Sequence, residues 1–106
     1  MRAKMGKEII LYNLSDNVTD EQYKDFVHKV KGPLLESLPS VRKFELVRIK
    51  GAKTGEVPYN YVGILHVDSL DEFYEKGATT KEFQGLMEKL QPMLKDPHIL
   101  YGEEVY

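Results

Sequence analysis

Residues 8–14 are almost continuously apolar, the pattern of a central β-strand covered on both faces. Ser15, Asp16 and Asn17 form a turn cluster, and Thr19 followed by Gln22 is a capping-box signature. Behind it, Tyr23, Phe26, Val27, Val30 and Leu34 fall at helical spacing and make one core-facing stripe. Gly32-Pro33 is expected to kink or end this helix, because proline disfavours helical geometry in the residue before it. Residues 41–50 mix polar and apolar side chains on both parities, which suits an edge or half-exposed strand. A polar loop over 51–58 leads to a third strand over 59–67. Asp68 or Ser69 then caps a short helix carrying Leu70, Phe73 and Tyr74, which Gly77 ends. Thr79 with Glu82 is a second capping box, and Phe83, Leu86, Met87, Leu90 and Leu94 follow at helical spacing. Pro92 is expected to bend the last turn and Asp96-Pro97 to stop it, leaving residues 98–106 as the last strand.

The order β-α-β-β-α-β predicts an α+β, ferredoxin-like domain, a four-stranded antiparallel sheet with helices on one face. It occupies residues 8–106, behind a flexible arm over 1–7. The strands also predict an assembly. Ile9 and Leu11 share one face of the first strand, and Ile10, Tyr12 and Leu14 the other. The third strand is likewise apolar on both parities, with Tyr61, Leu65 and Val67 against Val62 and Ile64. Helices cover one face only, so a second copy laid on the other would bury what a monomer leaves wet, giving a two-fold homodimer.

Charge and composition narrow the partners. The 106 residues carry 15 basic and 17 acidic side chains, and three of the basic ones lie among the first seven. The remainder is acidic, which argues against a nucleic-acid partner. No apolar run approaches the roughly 20 residues that span a bilayer, so no membrane partner is expected. With no cysteine, disulfides and thiolate metal sites are excluded, and a cytoplasmic location is expected. The three histidines form no metal-ligand spacing, and there is no phosphate-binding glycine loop and no nucleophile elbow. No metal and no cofactor is implied.

Four segments are more distinctive. Ile9-Ile10-Leu11-Tyr12-Asn13-Leu14, then Leu38-Pro39-Ser40-Val41-Arg42 with Phe44-Glu45 and Arg48, then Pro58-Tyr59-Asn60-Tyr61-Val62, and Asp96-Pro97-His98-Ile99-Leu100 occur in order. Together they resemble the RedY-like/HapK family of the dimeric α/β-barrel superfamily. The resemblance implies a ferredoxin-like protomer, two sheets facing each other in a dimer, and association with prodigiosin-type and related natural-product pathways. Many relatives are expected to carry a carboxylate in the third strand, where this chain has Gly63, so an acid–base role carried over to that position fails. A strand glycine instead marks close approach of a ligand or backbone.

The residues themselves supply candidates. His66 stands in an otherwise apolar strand and is the candidate proton shuttle, with a hydrogen-bonded core or interface histidine as its plainer reading. Arg48 shares parity with Phe44 and Leu46 and is the candidate to stabilise developing negative charge, or else an exposed or interface ion pair. Tyr12, Asn13, Tyr23 and Tyr61 are the candidate ligand-orienting side chains, with ordinary packing as the alternative. His28 is expected to be solvated, and His98 to stand at a pocket mouth. Three functions stay open: a cofactor-independent enzyme acting on an aromatic or heteroaromatic metabolite, a non-catalytic ligand carrier, and a purely structural homodimer.

Overall fold

The computed structural model describes residues 5–106. Its strands are β1 (Gly6–Leu14), β2 (Val41–Arg48), β3 (Tyr61–Val67) and β4 (Leu94–Glu103), in the sheet order β2-β3-β1-β4 with every pair antiparallel. β1 and β3 are central, and the mixed-pattern β2 is an edge. The first four residues of the expected arm lie outside the described residues, and β1 starts at Gly6, two residues before the predicted strand.

The first helical segment departs from its pattern in an informative way. Helix α1 (Asp20–Phe26) starts as predicted: the Thr19 hydroxyl accepts from the Gln22 N–H at 3.1 Å, and the Gln22 amide oxygen accepts from the Thr19 N–H at 3.0 Å. Gly32-Pro33 does not end the segment. A π-turn over Val27–Lys31 leads directly into α2 (Gly32–Glu36), with the Gly32 N–H reaching back to the Val27 carbonyl. A proline ring would collide with the carbonyl four residues back in a regular helix. The wider turn accommodates it, and one residue is added to the turn. The fully buried positions then become Tyr23, Val27, Lys31 and Leu35, spaced by four, while Val30 and Leu34 are only half-buried.

The second helical segment repeats the device. Ser69 caps α3 (Leu70–Glu72), which widens into a π-turn over Phe73–Gly77. Gly77 is required there, because a Cβ would lie 2.7 Å from the Phe73 ring and 2.9 Å from the Pro39 carbonyl. Helix α4 (Lys81–Leu90) is capped by Thr80, not Thr79; the Thr79 hydroxyl donates to the Glu75 carbonyl at 2.9 Å instead. α4 ends before Pro92, and β4 begins four residues earlier than the pattern predicts. Asp96-Pro97 lies inside that strand. Asp96 takes φ 55° beside the register shift between Leu11 and Asn13, so the pair makes a bulge and not a stop.

The helices cover the face carrying Glu8, Ile10, Tyr12, Tyr61, Gly63, Leu65 and Val67, as the cross-strand register requires. Tyr12, Tyr23, Phe73, Leu86 and Val67 are the most deeply buried large side chains. Among the described residues no helix covers the opposite face. Ile9, Leu11, Val62 and Ile64 are half-buried there, and Val47 and Leu100 are exposed.

Candidate functional site

A cavity of about 750 Å³ lies between the helix-covered face of β1 and β3 and the flank of α4. Ile10, Leu35, Leu65, Phe83, Met87 and Leu90 are among its apolar lining. Along the β4 edge the wall is open: Ile99 and Tyr101 face the helix layer yet keep 50% and 64% of their surface exposed. Gly63 forms part of the floor. Its missing side chain leaves the Phe44 and Tyr12 rings 3.7 and 3.8 Å from where a Cβ would stand.

Two buried ionisable groups interrupt this apolar wall, Lys31 and Glu8. Lys31, 5% exposed, donates to the Tyr23 hydroxyl at 2.6 Å and to the Tyr12 hydroxyl at 3.3 Å. The two hydroxyls are 2.5 Å apart. The ammonium position lies 5.1, 5.3 and 5.2 Å from the Tyr12, Tyr23 and Phe44 ring centroids. Among the described residues no carboxylate is hydrogen-bonded to it; both partners are phenols. Burial without a counter-ion disfavours the charged form and brings the Lys31 amine down to about 7. Desolvation also pushes the Tyr23 phenol up to about 12 and Tyr12 higher still, so neither supplies a negative charge near neutral pH. Glu8 accepts from the Tyr74 hydroxyl at 2.5 Å, and burial raises its carboxyl above the ordinary range against the opposing effect of that bond.

A second cleft, about 690 Å³, opens on the other side of Tyr23, between α1, α2 and β2. At its rim Arg48 pairs with Asp20 at 2.7 Å, and the Tyr61 hydroxyl donates to the other oxygen of the same carboxylate. These bonds, Tyr61's foremost, hold the Asp20 carboxyl below its usual value. Tyr61 stacks on Tyr12 with centroids 5.7 Å apart and meets Tyr23 edge-on at 5.3 Å.

Of the six residues singled out from the sequence, four come together on the helix side of the sheet: Tyr12, Tyr23, Tyr61 and Arg48. His66 does not join them. It lies opposite Lys7 and Lys43 on the uncovered face, where its Nε2 is 3.1 Å from a Glu45 carboxylate oxygen. The sheet therefore separates His66 from Arg48. Asn13 is also turned away and fully engaged: its amide donates to the Pro58 carbonyl at 3.0 Å and accepts from the Asn60 N–H at 2.9 Å. It ties the 51–60 loop to β1. His98 is exposed, with its ring stacked 6.4 Å from Tyr59. Lys31 and Glu8 escape a reading of stripes because both are charged residues at core positions. The signal that finds Lys31 is the spacing Tyr23, Val27, Lys31, Leu35, completed by the Gly-Pro that forces the wider turn.

The profile of the REDY-like protein HapK family matches residues 6–105. The chain belongs to that family. HapK from Hahella chejuensis is 24% identical, with a TM-score of 0.78 over 94% of this chain and 92% of that one. A dimeric ferredoxin-like protein of unknown function from Thermobifida fusca is 18% identical, with a TM-score of 0.75 over 96% and 92%. SnoaB, a cofactor-independent oxygenase from Streptomyces nogalater, is 10% identical, with a TM-score of 0.76 over 98% and 96%. At these identities the structural likeness establishes the ferredoxin-like fold, and a fold does not by itself fix a function. No curated protein sequence matches this HapK-family chain. Among the described residues no helix is long and apolar enough to cross a membrane, and no group of three or more acidic or histidine side chains is placed to hold a metal ion.

Proposed function

We propose that this protein binds a small, planar, largely apolar molecule, aromatic or heteroaromatic, in the cavity between the sheet and α4. The observation that carries this reading is an open apolar cavity of about 750 Å³ with buried polar groups at only two places. Such concave, mostly apolar sites with few placed polar groups are the usual form of small-molecule sites. The aromatic rings of Tyr12, Phe44 and Phe83 suit a flat ligand, and Lys31 and Glu8 would fix its orientation. Action on the ligand without a cofactor is favoured over simple carriage by one observation. Both buried groups are displaced from their ordinary protonation equilibria, as acids and bases at working sites often are.

The working unit in this reading is a homodimer. The uncovered sheet face presents Ile9, Leu11, Val47, Val62, Ile64 and Leu100, and a second copy laid across it would remove them from water. The similar Thermobifida fusca protein is dimeric, which supports a dimer here. His66 and Glu45 would then belong to the seam.

Native mass spectrometry of protein purified gently from its own host tests both parts. The expected spectrum shows twice the chain mass plus a small adduct that leaves on denaturation. A monomer would overturn the dimer. Absence of any adduct, together with no binding of 2-naphthalenemethanol as a flat apolar probe, would overturn the ligand site.

A further inference from the structure

We propose that Lys31 is a nucleophile that captures an aldehyde or ketone in the cavity as an imine. This rests on the cavity being the ligand site and assigns the chemical class of what enters it.

The geometry is specific. A neutral amine has two N–H bonds and one lone pair. Both N–H bonds of Lys31 are matched by acceptors, the hydroxyl oxygens of Tyr23 and Tyr12. The lone pair is left for a third direction, and Lys31 forms part of the cavity wall. A structural lysine buried this deeply is normally paired with a carboxylate. Here the nearby acids are engaged elsewhere: Asp20 with Arg48 and Tyr61, Glu36 with the Phe44 N–H, and Glu8 with Tyr74. The depressed amine value agrees with this geometry, since a desolvated lysine without a counter-ion is the usual form of an imine-forming lysine.

The chemistry balances with water as the sole by-product. The Lys31 lone pair attacks the carbonyl carbon, and the carbonyl π-electrons move to oxygen. That oxygen takes a proton from the hydroxyl of Tyr12, which lines the cavity; Tyr12 regains one from Tyr23, and Tyr23 one from the ammonium nitrogen, giving a carbinolamine. The carbinolamine hydroxyl then leaves as water by the same relay, the nitrogen surrendering its last proton through Tyr23 as the C=N bond forms. No oxidant or reductant is consumed. Tyr12 is the phenol that meets the carbonyl oxygen, and Tyr23 behind it connects Tyr12 to the amine.

The test uses the full chain, 2-naphthaldehyde as the probe and sodium cyanoborohydride at pH 7, followed by peptide mapping. Exposed Lys24 and Lys29 on the same helical segment are internal controls. Lys31 is expected to be trapped at least about tenfold faster than either, because a lowered amine value leaves far more free base at pH 7. Binding of 2-naphthalenemethanol, which cannot form an imine, is followed in parallel through the backbone amide resonances of Tyr12, Phe44 and Gly63. If the alcohol binds but Lys31 is trapped no faster than Lys24 and Lys29, the covalent inference is overturned and the cavity reading stands. If neither compound shifts those resonances, both are overturned. Tyr23→Phe is expected to slow trapping by about tenfold with alcohol affinity held within about twofold, a split that loss of packing alone would not produce. Equal effects on both would remove Tyr23 from the relay.

Discussion

Replacing Lys31 by methionine should stabilise the protein in acid and lose that advantage as pH rises. The two side chains are similar in length, so the slot among Tyr12, Tyr23 and Phe44 stays filled. What disappears is a buried amine whose value drops from 10.5 when free to about 7 in the native state. Between those values the unfolded chain holds a proton that the native chain does not, so native stability rises with pH. Below both values the native state carries the full burden of a buried cation, on the order of 5 kcal/mol. From pH 6 to pH 9.5 the wild type should therefore gain about 3 kcal/mol relative to Lys31→Met. Against this stands the loss of two hydrogen bonds to the phenols, about 1 kcal/mol each and independent of pH in this window. The variant should thus be more stable than wild type at pH 6 and equal or less stable at pH 9.5. Urea unfolding followed by far-UV circular dichroism measures this, with total chain concentration fixed because dimerisation would couple to folding. A stability difference that does not change with pH would refute the assignment of Lys31 as a desolvated amine without a counter-ion.

Three further outcomes follow from the placement of the site. Gly63→Leu puts a branched side chain between the Phe44 and Tyr12 rings and should weaken 2-naphthalenemethanol binding at least about tenfold while the far-UV spectrum is kept; unchanged affinity would move the ligand elsewhere. Ile64→Glu sets a charge at the centre of the uncovered face, beside Ile9 and Glu45, and should yield a monomer by sedimentation at concentrations where the wild type is dimeric. His66→Gln should leave probe affinity within about twofold, because the sheet stands between His66 and the cavity; a larger loss would return His66 to the ligand site.

The strands and their order were legible because the period-two signal survives wherever one face is buried. Tyr12 and Tyr61 share a face with Gly63, and Arg48 follows by register, so parity within each strand together with the cross-strand register puts three of the aromatic and basic candidates on one side. The same parity rule places His66 with Val62 and Ile64, opposite to Arg48. Treating His66 and Arg48 as partners in one reaction set chemical plausibility above strand geometry. Boundaries were harder. Asp96-Pro97 looks like a helix stop, yet Pro97 has no N–H to lose on an edge strand at a bulge, so the strand runs through it. Asn13 looks like a ligand group because it is an amide inside an apolar strand. Its partners are backbone groups 45 and 47 residues later, a pairing that no local pattern encodes.

The deepest departure concerns the segment from Asp20 to Glu36, and it decides where the chemistry lies. On a regular helix Lys31 would stand about 80° around from Tyr23, and Leu34 nearly in line with it. The apolar stripe would then be satisfied, and the lysine would reach solvent along its own stem. Pro33 blocks that solution, and the π-turn that relieves it shifts the buried set by one residue. Lys31 takes a core position between two phenols while Leu34 is left half-buried. Hydrophobic burial alone favours the opposite exchange, a leucine in and a lysine out. Replacing that one proline would remove the block to a regular helix. The wider turn and the buried amine are thus one feature, and Pro33→Ala separates them. If Lys31 sits in the core only because the turn places it there, Pro33→Ala should let the helix regularise and expose the amine. Trapping of Lys31 by 2-naphthaldehyde would then fall to the level of Lys24. Undiminished trapping would show that the phenols and aromatic faces hold the lysine in place without help from the turn.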